Sequence, residues 1–393
     1  MPERVMIIAG ESSGELYGAL LAEALKAAYP GIRLTGVGGA RMREAGVDLI
    51  SGISSALGAT EALKAYSDLK KTFTKVVDTL ECFCPQVIVL IDFPDFNLKL
   101  ADKARARGIP VFYYVSPQIW AWRKGRIKTI KKLVNMMAFI LPFEEKIYKE
   151  AGVPCRFVGH PIMDEIDQVL SHYGAGFDDI GSAALKAKVR SELGIKNAGL
   201  VMTVMPGSRP HEVENLLPVI TEVIESMKVR YPACRYILPV AVNLDEAVFN
   251  KQLLPEGCIK VRGESIKALL ASDLALIASG TSALQAGLLR VPMVVIYKVS
   301  ALTAFIARLI IDVDYISLVN ILLAGSTAED SGLRAVELLQ DDVNTANIMA
   351  ELTRIIDDAG YRQEFLSQLD HVRGLFRGRN ASRTVAGMIG EMH

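Results

Sequence analysis

The chain is 393 residues long and carries 44 basic and 44 acidic side chains, so the global basic bias of a nucleic-acid binder is absent and no nucleic-acid partner is expected. Hydrophobic residues make up 51% of it, yet no stretch of about 18 uncharged apolar residues occurs, which argues against a membrane-spanning helix. Its cysteines (Cys82, Cys84, Cys155, Cys234 and Cys258) are odd in number and fit no zinc-ligand spacing, so free thiols in a reducing compartment are expected.

The chain opens on RVMIIAG, a short β-rich run that ends at Gly10. The apolar stretch is too short for a secretory signal and leads straight into a glycine turn, so a cytoplasmic protein is expected. GELYGALLAEALKAAY then has helical spacing, with Leu16, Leu20, Leu21 and Leu25 near one face. Between them, Gly10 and Gly14 permit a tight turn that presents Ser12 and Ser13. This spacing is neither the dinucleotide fingerprint nor a P-loop, and an ordinary glycine turn would look the same. In EALKAYSDLKKTFTKVV, Tyr66, Leu69, Phe73 and Val76 share a helical face, with Lys64, Lys70, Lys71 and Lys75 off it. That helix reads either as a wall for acyl chains or as an ordinary surface helix.

QVIVLIDFPDFN is the clearest buried strand, and it ends at Asp92. A carboxylate at a strand end is suited to act as a general base toward a sugar hydroxyl. Asp95 and Asn97 follow a proline and also read as helix caps. PVFYYVSP is the next strand. After it, VSPQIWAWRKGRIKTIKK gathers Trp120, Trp122, Arg123, Lys124, Arg126, Lys128, Lys131 and Lys132, with no Asp or Glu from Gln118 to Phe143. Indoles favour the boundary between hydrocarbon and headgroups, and a basic amphipathic helix over 124–134 would meet an anionic phospholipid surface. A core tryptophan pair beside a solvated helix is the plainer alternative. MMAFILPF and CRFVGHP continue the strand series, with His160 expected to be structural.

Repeated short strands between helices predict an α/β fold of two Rossmann-like domains facing across a cleft. The expected boundaries are a first domain over 1–165, a connection over 166–197, a second domain over 198–350, and closing helices over 351–393 free to pack back on the first domain. In the second domain LVMTVMPGSR puts Arg209 beyond a strand end, suited to diphosphate oxygens, with His211 and Glu212 in the following turn. IASGTSALQAGLL ends a strand at Ser279 and opens a helix with Gly280, Thr281 and Ser282, whose amides and hydroxyls suit a phosphate. Gln285, one turn in, is placed for a ribose hydroxyl. LTAFIARLIIDVDYISLV, 302–319, is a second candidate for lipid contact or a buried helix. A carboxylate in one domain and a diphosphate cradle in the other are what glycosyl transfer needs. With no His, Cys and Asp cluster visible, metal-independent, cofactor-free chemistry is expected.

As a set, these segments resemble the lipid-A-disaccharide synthase family, inverting glycosyltransferases of the B-type fold. The resemblance rests on AGESSGELYGA, IDFPDFN, YVSPQIWAWRKGRI, LPFE at 141–144, FVGHP at 157–161, PGSR, ASGTSAL and PMVVIYK at 292–298, in the family's order. It implies transfer from UDP-2,3-diacylglucosamine to 2,3-diacylglucosamine 1-phosphate, yielding the β-1,6-linked disaccharide 1-phosphate of lipid A and UDP. It also implies a peripheral enzyme on the inner leaflet of the inner membrane of a Gram-negative bacterium. Asp92 would be the base toward the acceptor 6-hydroxyl, and Arg209 with 279–282 would hold the UDP phosphates. Tyr297, Lys298 and Asn320 would line the donor side, while Ser12, Ser13, Gly14 and Glu15 match the family's first loop. Three positions depart from the family: Glu15 stands for its usual Asp, Gln285 for Glu, and Val319 for Pro. They bear on donor affinity and leave open a different UDP-sugar enzyme or a UDP-binding protein without catalysis.

Overall fold

A computed structural model describes residues 1–52, 59–121, 123–196, 199–242, 244–245, 247–250, 257–299, 314–325 and 333–392, with backbone alone at 12, 59–66, 247 and 250. Trp122, residues 302–313 and the side chains of Ser12, Lys64 and Tyr66 therefore lie outside the described residues. The chain forms two compact units, residues 1–165 with 378–393, and residues 166–377.

The first unit is built on a seven-stranded sheet of β1 (Arg4–Ala9), β2 (Arg33–Val37), β3 (Asp48–Ser51), β4 (Val87–Ile91), β5 (Val111–Tyr114), β6 (Met136–Phe139) and β7 (Cys155–Phe157). The order is β3-β2-β1-β4-β5-β6-β7, and every pairing is parallel. Parallel strands covered on both faces need unbroken apolar runs, and VIVLI of β4 is buried at all five positions. Each such side chain contributes about 1.5–3 kcal/mol. One face of this core is closed by helices Ala59–Phe83, Pro94–Arg105 and Arg126–Leu133, through Val76, Leu100 and Ile130. Chain order reverses between β1 and β4, the switch point at which open α/β sheets bind ligands. Ala9 pairs with Ile91, so Gly10 and Asp92 leave the sheet side by side.

The second unit has a six-stranded parallel sheet of β8 (Leu200–Met205), β9 (Cys234–Val240), β10 (Cys258–Arg262), β11 (Leu274–Ala278), β12 (Met293–Tyr297) and β13 (Val336–Leu339). Its order, β10-β9-β8-β11-β12-β13, puts the switch between β8 and β11. Met205 pairs with Ile277 there, so the PGSR and SGTS turns leave neighbouring strands.

The stretch expected to be a connection carries helix Ala183–Glu192, held within the second unit. Lys186 (2.7 Å) and Arg190 (2.6 Å) pair with Asp273, which also accepts the Val201 N–H (2.9 Å) and is held below the usual carboxylate range despite its burial. Of the closing helices, Thr345–Asp357 and Ala359–Gly374 belong to the second unit, and Ala381–Glu391 returns to the first. Asp164 anchors that return by accepting the N–H groups of Ala381 (3.0 Å) and Ser382 (2.8 Å) at the helix N-terminus.

Candidate active site

Asp92 sits one residue past β4 in a left-handed conformation (φ 46°), and Phe93 repeats it (φ 46°). For two consecutive non-glycine residues this costs of order 1–3 kcal/mol each, so the surrounding structure must hold it. It does so through the Asp92 carbonyl, which accepts from Asn97 Nδ2 (2.7 Å) and from the Tyr113 hydroxyl (2.6 Å). Asn97 Nδ2 also reaches the Ile91 carbonyl (3.1 Å), and the Asp92 N–H continues the ladder to the Tyr114 carbonyl (3.1 Å). Asn97 is thus fully buried under the turn that carries the carboxylate. A Cβ on Gly10 would overlap the Phe93 ring, so the glycine of the first loop is what lets Phe93 lie across it.

Partial burial pushes the Asp92 carboxyl up to about 6; the negative charge of Glu11 adds to this, and the Phe93 N–H opposes it. A carboxyl poised there is ionised at neutral pH and basic enough to take a proton. Around it are groups that sequence reasoning did not assign to the site. Tyr17 is buried and its hydroxyl is pushed up by burial, then by the charges of Glu165 and Asp92. Its ring meets His160 edge-on at 5.8 Å. Burial lowers the His160 imidazole to about 3, so the ring is neutral. Glu144, 1% exposed, is hydrogen-bonded to the Ser116 hydroxyl and accepts the Leu141 N–H (3.3 Å). Burial raises its carboxyl to about 8, against those two bonds and with a contribution from the Asp92 charge. Glu144 is therefore mostly protonated at neutral pH.

The remaining residues of the first loop divide. Gly14 brings the start of helix Ser12–Ala28 against Ala9 and Ile91, and Ser13 is half-buried on it. Glu15 accepts the Arg41 N–H (3.0 Å) and lies against Gly39, so its carboxylate orients the turn after β2. That is a role in which the methylene added over Asp is accommodated. Asp95 is exposed and pairs with Arg123 (2.9 Å) and with Arg126. Two cations of the basic stretch are thus engaged within the protein. Trp120 is half-buried, its ring set edge-on to Phe143 at 5.2 Å. Lys124 and Lys128 are exposed.

At the second switch point, the Glu212 carboxylate accepts the N–H groups of Ser208 (2.9 Å) and Arg209 (3.2 Å) and the Arg209 guanidinium (3.2 Å). It lies where a Cβ on Gly207 would fall, and Gly207 needs φ 118°. The Arg209 side chain stays 59% exposed at the head of helix Pro210–Arg230. Next to it, Gly280 (φ 151°) caps helix Thr281–Leu288 with open space where a side chain would stand. Ser279 is tied to the Ile316 carbonyl (3.2 Å), Thr281 is exposed, and Ser282 and Gln285 are half-buried. Tyr297 is half-buried and Lys298 exposed at the end of β12.

Asn320 is buried in a network instead of facing open space. Its side chain donates to the Ala335 carbonyl (2.8 Å) and Glu337 (2.7 Å), and accepts the Ala335 N–H (3.0 Å). Glu337 also takes the N–H groups of Ile316 (2.8 Å) and Ser317 (3.0 Å) and the Ser317 hydroxyl (2.7 Å). This carboxylate, on a strand that reads as apolar, fixes the segment leading to Asn320. Among the described residues no group of three or more His, Cys, Asp or Glu is arranged to hold a metal ion.

Comparison with known proteins gives a consistent result. The family model for lipid-A-disaccharide synthetase matches residues 5–374. The lipid-A-disaccharide synthase of Syntrophus aciditrophicus is 39% identical over 94% of this chain and 92% of its own, and that of Trichlorobacter lovleyi is 39% identical over 99% and 97%. The same-named protein of Myxococcus xanthus is 36% identical over 100% and 98%. Among solved structures, a UDP-GlcNAc 2-epimerase from Neisseria meningitidis aligns with TM-score 0.65 at 14% identity, covering 99% of this chain and 100% of that one. At that identity the likeness speaks for the fold alone.

Proposed function

The chain belongs to the lipid-A-disaccharide synthase family, and from that premise we propose that it transfers the sugar of UDP-2,3-diacylglucosamine to 2,3-diacylglucosamine 1-phosphate. The products are the lipid A disaccharide 1-phosphate and UDP. The chemistry divides between the two units. In the first, the ionised Asp92 carboxylate takes the proton of the acceptor 6-hydroxyl as that oxygen attacks the anomeric carbon. In the second, the bond from that carbon to the diphosphate breaks, and Arg209 with the amides at 280–282 stabilises the charge on the departing UDP. Attack opposite the leaving group inverts the anomeric centre. Gln285 stands at the ribose with an amide, so the hydroxyls there are bound without the stronger bond to a charge.

One observation carries this reading: in a chain matched by the family over residues 5–374, the AGESSGELYGA, IDFPDFN, PGSR and ASGTSAL segments fall at the switch points of the two sheets. Substrates with acyl chains require work at a bilayer, on the cytoplasmic face where UDP-sugars occur. Among the described residues no helix is long and apolar enough to cross a membrane, which fits peripheral attachment. The test is incubation of the full chain in detergent with both lipid substrates, against a parallel reaction with water-soluble UDP-GlcNAc alone. Disaccharide and UDP from the first and no reaction in the second are expected. Conversion of UDP-GlcNAc without the acylated acceptor would overturn the assignment.

A further inference from the structure

Asp92 hangs from the end of the neighbouring strand. Its N–H reaches the Tyr114 carbonyl (3.1 Å) and its own carbonyl accepts from the Tyr113 hydroxyl (2.6 Å), and these are the last two residues of β5. The next residue, Val115, is buried in the left-handed region (φ 63°). For a β-branched side chain that conformation is a true outlier, held only by what surrounds it. Strands β4 and β5 thus both end in strained backbone, side by side. Relaxing Val115 to negative φ would turn the peptide plane that carries the Tyr114 carbonyl, and the Asp92 N–H would lose its acceptor.

Three contacts hold the turn that begins at Val115. The Val115 N–H donates to the Ala138 carbonyl of β6 (3.0 Å). The hydroxyl of buried Ser116 is bonded to the Glu144 carboxyl, and the Pro117 carbonyl accepts from the Tyr148 hydroxyl (3.3 Å). Glu144 and Tyr148 stand one turn apart on helix Glu144–Glu150, so a single buried face of that helix grips the turn. Glu144 also accepts the Leu141 N–H (3.3 Å), which ties the exit of β5 to the exit of β6. An apolar side chain at 144 would fill the same space and strand the Ser116 hydroxyl and the Leu141 N–H. Burial keeps the Glu144 carboxyl mostly protonated at neutral pH, so it grips the turn without setting a second negative charge near Asp92.

We propose that Glu144 is a positioning residue for Asp92: by fixing Ser116 it holds the Val115 turn, and with it the carbonyl from which the base hangs. This role rests on the proposed transfer, in which Asp92 is the base; the first test therefore reads the aspartate itself and needs no turnover. The full chain is labelled with carbon-13 at its aspartate carboxyls and titrated by NMR, and the Asp92 signal is the one that Asp92→Asn lacks. In the parent its midpoint should lie at about 6. Glu144→Ala should bring it down by on the order of one pH unit, because a loosened turn admits water to a carboxyl that burial raises. Glu144→Gln keeps an oxygen for the Leu141 N–H and a polar partner for Ser116, so its midpoint should stay with the parent's. Ser116→Ala cuts the same link from its other end and should move the midpoint downward too, in case Glu144→Ala fails to fold. The titratable groups facing Asp92 are Glu11 of the first loop, Tyr17 of helix Ser12–Ala28, Tyr113 of β5, itself under the charge of Arg126, and Glu144. The tyrosines and Glu144 keep their protons at pH 6, so their charge does not change across the titration.

Kinetics in detergent with both lipid substrates should agree. Glu144→Ala should lower kcat about tenfold or more and carry the acid limb of kcat/KM below pH 6, with KM for the UDP-sugar unchanged, and Glu144→Gln should restore both. The acceptor phosphate is the same in every assay and cannot make the variants differ. Thr203→Ala removes a buried hydrogen bond of the second unit (2.7 Å to Ser272) and should leave the Asp92 midpoint and the acid limb in place. A parent without turnover sinks the transferase reading, while the titration still judges the positioning. An Asp92 midpoint that is the same in the parent, Glu144→Ala and Ser116→Ala overturns the proposal. So does a Glu144→Gln midpoint as low as that of Glu144→Ala, or an equal fall in Thr203→Ala.

Discussion

Asp92 is costly to the fold, and the cost can be measured. Its carboxyl titrates at about 6 in the folded chain against an ordinary 3.8. Below about 3.8 the group is protonated in both folded and unfolded chains and the difference has no effect. As pH rises through that value the unfolded chain ionises first, and folding loses stability until the folded carboxyl also ionises near 6. The loss comes to about 1–2 kcal/mol at pH 5 and about 3 kcal/mol at pH 8, at roughly 1.4 kcal/mol per pKa unit. Asp92→Asn removes it. Asparagine tolerates the left-handed backbone and keeps an oxygen for the Phe93 N–H, so little else changes. Urea unfolding should find the variant more stable than the parent by about 3 kcal/mol at pH 8 and by about half that at pH 5. The same substitution should abolish the acid limb, near pH 6, of the parent's kcat/KM profile, together with at least ~100-fold of its rate. A variant no more stable than the parent at pH 8, or one whose gain is larger at pH 5, would refute the reasoning.

Other consequences follow from single contacts. Gly10→Ala should push Phe93 off the loop and lower kcat by at least tenfold with folding retained, measured by turnover beside circular dichroism. Glu144→Gln should gain stability over the parent as pH rises from about 4.5 toward 8, because the unfolded parent ionises this carboxyl while the folded one stays protonated, and the gain should level off above about 8; urea midpoints at pH 5 and pH 8 compare them. Glu144→Ala, which abandons the Ser116 and Leu141 partners, should lose about 1–3 kcal/mol at pH 7. Asn320→Ala should cost about 2–4 kcal/mol in the same assay, since it strands the buried Ala335 N–H and a Glu337 acceptor.

The sites were legible in the sequence to different depths. Asp92 was readable because an apolar run can end in a carboxylate only where the strand leaves the core. Gly10 and Gly280 were readable because their turns call for glycine. That Gly10 neighbours Asp92, and PGSR neighbours SGTS, depends on which strands pair, and the reversal of order at β1/β4 and β8/β11 is a tertiary fact. Glu144 and Glu337 sit in apolar surroundings that periodicity assigns to packing; burial with hydrogen-bond donors, visible only in three dimensions, makes them informative. The basic stretch looked free because its counter-charge, Asp95, lies 28 residues before Arg123. The last boundary was hidden for a similar reason: the final helix returns to the first unit through partners far away in the chain, Asp164 accepting from Ala381 and Ser382, 217 and 218 residues away, and the Tyr29 hydroxyl donating to the Ala386 carbonyl.

The role proposed for Asp92 lies in the chemical step and not in holding UDP. It is tested most directly by measuring turnover and UDP affinity together for the parent and Asp92→Ala, in detergent, with both lipid substrates and EDTA present. Turnover in the parent should persist despite the chelator, with a fall of at least ~100-fold in the variant and the same UDP dissociation constant for both. Equal turnover in the two proteins would contradict that role.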